Sequence, residues 1–245
     1  MALEGVEGLR LEIDGPVVVA TIDRGDENLV SMQMCGTLTD LLSDPPAGTR
    51  VLHLRAAPPV FCLGRDRCAG NEGGLRVEAE TLVALNRALR DGRLLTVAEV
   101  GGDAAGYGVG LAALCDLSFA APTARFWFPE VEADLAPTVV LAWLPAVMPR
   151  SHAFRLTATG ARIDGREAAR LGLVTAASSS DDELAGLVAS EIEALLRCPE
   201  RAQGEIRSFL SASADPSSLD RLAVDCLVAN SLRLRRVGDS KLAER

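Results

Sequence analysis

Two kinds of apolar spacing alternate along most of the chain. Leu9 to Ile13 and Val17 to Ile22 read as strands on either side of the turn residues Asp14-Gly15-Pro16, and they predict a hairpin at the start of the domain. Met32 to Leu42 and Glu78 to Arg90 carry apolar residues at helical spacing, each ending near a proline or glycine. Val51 to Ala56, Leu94 to Val100 and Leu117 to Ala120 are further strand-like runs, so strands and helices alternate as in an α/β fold. After Val174 the pattern becomes helical, over Asp181 to Leu196, Glu200 to Ser211 and Leu219 to Leu234, with Pro199 and Asp215-Pro216 as punctuation. This division predicts an α/β core over 1–177 and a helical region over 178–245, joined at Ser178-Ser179-Ser180, with no internal sequence repeat.

Two of the strands run into glycine-containing loops. After Val100 come Gly102, Gly106, Gly108 and Gly110 among small residues, a spacing that predicts a strand-to-helix junction. Glycines there allow close backbone approach, and the first amides of the following helix have no partner within it, so they can face a negative atom. The dinucleotide spacing G-x-G-x-x-G is not met from Gly106, because residue 111 is leucine. A second loop, Val60-Phe61-Cys62-Leu63-Gly64-Arg65-Asp66-Arg67, follows the strand at Val51. Each loop alone is consistent with an ordinary packing turn. Two such loops at the ends of neighbouring strands also meet the requirement of a two-donor oxyanion hole.

Taken with a downstream corner, these loops resemble the crotonase, or enoyl-CoA hydratase/isomerase, superfamily over about residues 10 to 230. Phe61-Cys62-Leu63-Gly64-Arg65-Asp66 is similar to the family's F-x-x-G-x-D, and Val100 to Asp116 to its V-x-G-x-A-x-G-x-G-x-x-L-A-x-x-C-D. Ala124 to Glu130 with Pro137 is similar to its A-x-F-x-x-P-E corner. Leu156 to Gly160, Ala168 to Val174 and, more loosely, Asn28 to Met32 also follow the family order. The resemblance implies a spiral of repeated β-β-α units. It also implies a C-terminal helical oligomerisation region assembling a homotrimer or a dimer of trimers, and an acyl-CoA thioester whose enolate is stabilised by two backbone amides. Carried over by position, those amides belong to Arg65 and Tyr107, the latter with its ring turned away from the thioester. Cys62, Leu63, Asp66, Arg67, Gly106 and Gly108 fall at substrate or CoA-contacting positions. Arg65 and Arg67 are the local cations expected near the phosphates.

The base is where this chain departs from the family's hydratases, which use two glutamates. Gly110 stands at the first position and Glu130 at the second. Hydration needs one group to activate water and another to handle the α-carbon proton, whereas moving a double bond requires one carboxylate to remove and return a proton. The expectation is double-bond isomerisation with Glu130 as proton shuttle. Glu132 and Asp134 share a face with Glu130 if the segment is extended, and such neighbours raise one another's pKa when desolvated together. The alternatives are a hydratase, decarboxylase or thioesterase using Asp134 or Glu132, or a non-catalytic acyl-CoA-binding or assembly homologue. Trp127 and Phe128 flank the corner as core or as an acyl-pocket wall. The family's terminal F-x-x-K-R is not met at 238–245, and the expectation is that either the tail's CoA contact is absent or the acyl carrier differs.

Composition narrows the picture further. The chain has 245 residues, of which 48% are hydrophobic, enough for a large core. Its formal net charge of -9 argues against a nucleic-acid or anionic-membrane surface; Arg233-Leu234-Arg235-Arg236 is a short run read as a solvated helix face. The cysteines at 35, 62, 68, 115, 198 and 226 lack C-x-x-C spacing, so no metal site is expected. Cys62 and Cys68 bracket the first loop, and His53 and His152 are read as structural, the alternative being a Cys–His nucleophile. No separate cofactor is expected, coenzyme A entering as part of the substrate. Neither a signal peptide nor an apolar run of ~18–20 residues is visible, and the expectation is a cytoplasmic protein with reduced thiols.

Overall fold

The computed structural model describes residues 3–67, 70–212, 224–225, 227–228 and 231–232. Nine strands and nine α-helices are formed among the described residues: β1 (Leu9–Asp14), β2 (Val17–Ile22), α1 (Met32–Ser43), β3 (Val51–Ala56), α2 (Glu72–Asp91), β4 (Leu95–Val100), β5 (Ala104–Ala105), α3 (Tyr107–Ala113), β6 (Leu117–Ala120), β7 (Arg125–Trp127), α4 (Thr138–Leu141), α5 (Leu144–Val147), α6 (Arg150–Thr159), β8 (Ile163–Asp164), α7 (Gly165–Arg170), β9 (Ala176–Ala177), α8 (Leu184–Arg197) and α9 (Glu200–Ala212). A larger sheet has the order β1-β2-β3-β4-β6-β9, and a smaller one β5-β7-β8. Only β1 and β2 pair antiparallel in the larger sheet.

The β-β-α repeat is visible in how the chain shuttles between the sheets. β4 adds to the large sheet, β5 to the small one, and α3 returns. β3 leads likewise to Cys62, whose bridge to Ala104 extends the small sheet, before α2 returns. β6 and β7 repeat the pattern. Central strands buried on both sides read as nearly unbroken apolar runs, as parallel packing requires; Leu52, Leu54, Val97, Ala98 and Val100 are all fully buried.

Several expected boundaries shift, each for a local reason. α2 starts at Glu72, six positions before the expected Glu78, because Asn71 caps it by accepting from the Gly74 amide at 2.9 Å. A side-chain cap of this kind outweighs the low helix propensity of Gly73-Gly74. The region after Val174 is not wholly helical, since β9 first joins the large sheet beside β6. Asp181–Glu183 form a 3-10 turn and α8 begins only at Leu184; the Asp181 carboxylate accepts from the Thr123 hydroxyl at 2.5 Å, which holds that turn against the β6–β7 connection. The expected helix over Leu219 to Leu234 lies mostly outside the described residues, and so do Cys68, Cys226, Arg233 to Arg236 and the tail at 238–245. No helix among the described residues is long and apolar enough to cross a membrane.

Candidate active site

The first loop is held in place by its backbone. The Cys62 N–H donates to the Asp103 carbonyl at 3.2 Å, and the Cys62 carbonyl accepts from Ala105 at 2.9 Å, which stitches this loop to the start of the second. On its other side, Val30 donates to the Gly64 carbonyl at 3.1 Å and accepts from the Asp66 N–H at 2.9 Å. In such a parallel bridge the N–H of the middle residue, Arg65, faces away from Val30. Asn28, 1% exposed, anchors the same region by donating to the carbonyls of Ala57 and Val60 at 2.7 and 2.8 Å.

The second loop is brought against the first by close packing. A Cβ on Gly108 would stand 2.0 Å from the Cys62 carbonyl oxygen, so only glycine lets α3 pass this close to the first loop. Tyr107 is the first residue of α3, and its N–H has no acceptor within that helix. Its ring is buried, and the hydroxyl donates to the Leu82 carbonyl at 3.0 Å. The Gly106 N–H donates to Trp127, joining this loop to β7.

The third component is the corner after β7. Pro129 opens a 3-10 turn over Pro129–Ala133, and Asp134 ends it in the left-handed region at φ 55. The expected common face for Glu130, Glu132 and Asp134 is therefore not formed, because alternation of side chains belongs to an extended strand and not to a three-residue-per-turn helix. Glu130 lies against the second loop, and a Cβ on Gly106 would stand 2.9 Å from its Oε1. Glu132 instead reaches toward Gly160 at the end of α6, and both Glu132 and Asp134 are exposed. Burial pushes the Glu130 carboxyl above the ordinary glutamate range, while its own backbone N–H and the charges of Arg67 and Arg65 pull it back in part. Its Oε2 is buried with no hydrogen-bond partner.

These three pieces enclose a cavity of about 270 Å³ whose walls include Leu63, Arg65, Arg67, Tyr107, Glu130 and Thr138. Glu130 is the one carboxylate in that wall among the described residues. Of the other expected site residues, Gly106 lines the cavity, while Gly108 and Cys62 sit behind it as the packing contact between the loops. The Asp66 carboxylate is not in the wall and pairs with Arg24. Of the two cations expected near the phosphates, the Arg65 guanidinium turns inward to Glu78 on α2 at 2.9 Å, and Arg67 is exposed in the cavity wall. Losing one partner of a buried pair like Arg65–Glu78 costs about 3–5 kcal/mol.

Neither histidine joins the site. His53 meets Glu99 at 2.8 Å across the large sheet, and His152 lies on α6. Burial pushes the thiols of Cys35 and Cys62 up to about 12, and Cys62 donates to the Gly64 carbonyl at 3.1 Å. Thiolate is the reactive form, so native Cys35 and Cys62 will resist alkylation at pH 8 while the exposed Cys198 reacts; peptide mapping by mass spectrometry checks this. Trp127 and Phe128 are core, with the Arg162 guanidinium stacked 4.5 Å above the Trp127 ring. Sequence reasoning did not single out Glu78, Trp143 or Thr138. Trp143 packs on α3 at Gly110, where a Cβ would meet its ring at 3.2 Å.

A two-sheet coil of β-β-α units, with Glu130 and two glycine-containing loops bordering one small cavity, is the arrangement of a crotonase-type protein. The family model described as enoyl-CoA hydratase/isomerase matches residues 12–232, and the chain belongs to this family. It is 32% identical to a probable enoyl-CoA hydratase, echA8, of Mycobacterium leprae, over 81% of each chain. It is 29% identical to the peroxisomal Delta(3,5)-Delta(2,4)-dienoyl-CoA isomerase of Arabidopsis thaliana, over 73% of this chain and 71% of that one. Among solved structures, Pseudomonas aeruginosa AtuE superposes with a TM-score of 0.79 at 32% identity, covering 89% of both chains.

Proposed function

We propose that the protein is an acyl-CoA double-bond isomerase in which Glu130 alone moves the proton. The observation that carries this reading is the pairing of Trp143 with Gly110. At the position where the family's hydratases carry their first glutamate, an indole fills the space a side chain would need, and Glu130 is the carboxylate left in the cavity wall. Relatives named for both reactions are similar to this chain, so the distinction rests on its own residues.

In the proposed reaction a 3-enoyl thioester enters with its carbonyl oxygen between the N–H groups of Arg65 and Tyr107. Glu130 takes a proton from C2, the electrons spread over the dienolate to the thioester oxygen, and Glu130 returns the proton at C4 to leave the 2-enoyl isomer. Atoms balance without water or a separate cofactor. A desolvated carboxylate suits the first step because burial makes it a stronger base. Each rigid donor to the developing oxyanion contributes roughly 2.7–4 kcal/mol. Arg67 is the cation of the cavity wall available to a CoA phosphate.

The test is mass spectrometry of 2-enoyl and 3-enoyl thioesters incubated with the protein in deuterated water. Deuterium uptake with an unchanged skeleton is expected; gain of one water would replace this reading with hydration, and no exchange on any thioester would replace it with binding alone. A companion result concerns the occupied position. Gly110→Glu will not create hydratase activity and will lower the melting temperature, because the new side chain collides with the buried Trp143 ring, an overpacking cost of about 1–3 kcal/mol. Thermal melts and a hydration assay of the variant check it.

A further inference from the structure

We propose that Glu78 is a positioning residue for the reaction: by holding the Arg65 side chain inside the protein, it sets the direction of the Arg65 N–H toward the thioester oxygen. The inference rests on the reading of that N–H as an oxyanion donor. Arg65 Nη1 donates to Glu78 Oε2 at 2.9 Å and to the carbonyl of Asp66 at 3.2 Å, so the guanidinium closes back on the Asp66–Arg67 peptide of its own loop. The two side chains are only 10% and 6% exposed.

The peptide that carries the donor needs this support. It joins Gly64 to Arg65, and Gly64 sits at φ 138, where it has no side chain to restrict rotation. Val30 holds one end of the peptide through the Gly64 carbonyl. Beyond Arg65 the Asp66 N–H donates to the Val30 carbonyl at 2.9 Å, and the Arg65 side chain adds a third hold, from the α2 side, through Glu78 and the Asp66 carbonyl. Tyr107 has no such need, because its amide is fixed at the start of a helix. A buried ion pair is poor value for stability alone, since apolar residues of similar volume fill such a space equally well. What the pair adds is direction: a forked, charged donor on an acceptor that belongs to a different element.

The experiment compares wild type, Glu78→Asp and the double variant Arg65→Met with Glu78→Met on 3-enoyl-CoA substrates, measuring kcat, KM and melting temperature. The double variant keeps the backbone N–H and fills the interior without charge. Its melting temperature is expected near that of wild type, its KM within about threefold, and its kcat roughly tenfold or more lower, part of the loss that removing an oxyanion donor gives. Glu78→Asp, which draws the acceptor back by one methylene, is expected to lower kcat severalfold at unchanged KM. A folded double variant with wild-type kcat would overturn the inference while leaving the isomerase reading in place. Should the double variant fail to fold, Glu78→Asp decides alone, wild-type kcat again overturning it. If wild type itself turns over no thioester, the proposed function falls and this inference falls with it.

Discussion

Glu130→Gln is expected to abolish deuterium exchange into 3-enoyl thioesters, lowering kcat by about 10²–10⁴-fold, with KM little changed. The amide has the shape of the carboxylate and cannot accept the C2 proton. The same change is expected to leave the melting temperature at pH 7 equal to or above that of wild type. Burial raises the Glu130 carboxyl above its unfolded value. For a carboxyl raised on folding, the unfolded state loses its proton first as pH increases. Its contribution to stability is therefore greatest below the unfolded value and is lost as pH rises through the folded one. At neutral pH the carboxylate is a burden on the fold that Gln removes, the usual opposition between a strained site and stability. The catalytic pH profile follows from the same shift: kcat/KM will fall on the acid side with a limb above the ordinary glutamate range of about 4.3. Glu130→Gln losing less than tenfold would remove Glu130 as the base. Melts and exchange rates from pH 4 to 8 test both halves.

Gly108→Ala is the substitution with the next largest expected effect. The added methyl would lie 2.0 Å from the Cys62 carbonyl oxygen and 2.9 Å from the Cys62 Cβ, with backbone on one side and a fully buried residue on the other. Nothing flexible can give way, so the two loops must separate. That breaks or lengthens the Cys62 bonds to Asp103 and Ala105 and moves the Arg65 and Tyr107 amides apart. Loss of about 10²-fold or more in kcat is expected, matching misplacement of an oxyanion donor, with a stability loss of about 1–3 kcal/mol. Gly36→Ala, at a helical glycine with open space around its Cβ position, serves as the control and is expected to leave both quantities near wild type. Wild-type kcat in Gly108→Ala would show that the loop contact does not set the donor geometry.

The legibility of this site differed from residue to residue. Glycine spacing at 106 and 108 and the strand runs before each loop were readable, because a close approach or an apolar strand leaves its mark in neighbouring letters. Glu130 was readable as a candidate from residue type and order. Its separation from Glu132 and Asp134 was not, because three acids at alternate positions fit either an extended segment or a tight turn. The turn is made by Pro129 at its first position and by the left-handed Asp134 at its end. The start of α2 was hidden for a comparable reason: Gly73-Gly74 argue locally against a helix that one Asn71 cap nevertheless begins.

Sequence alone determined the α/β class, the alternation of strand and helix, the family, and the absence of a carboxylate at position 110. All of these rest on local periodicity or on residue identity at a motif position. The tertiary structure decided which groups meet: Glu130 against Gly106, Trp143 over Gly110, Arg65 on Glu78, and Cys62 between Asp103 and Ala105. Each of those contacts closes a loop of chain between separate elements. Packing across the two sheets selects the partner there, and no spacing along the chain records it.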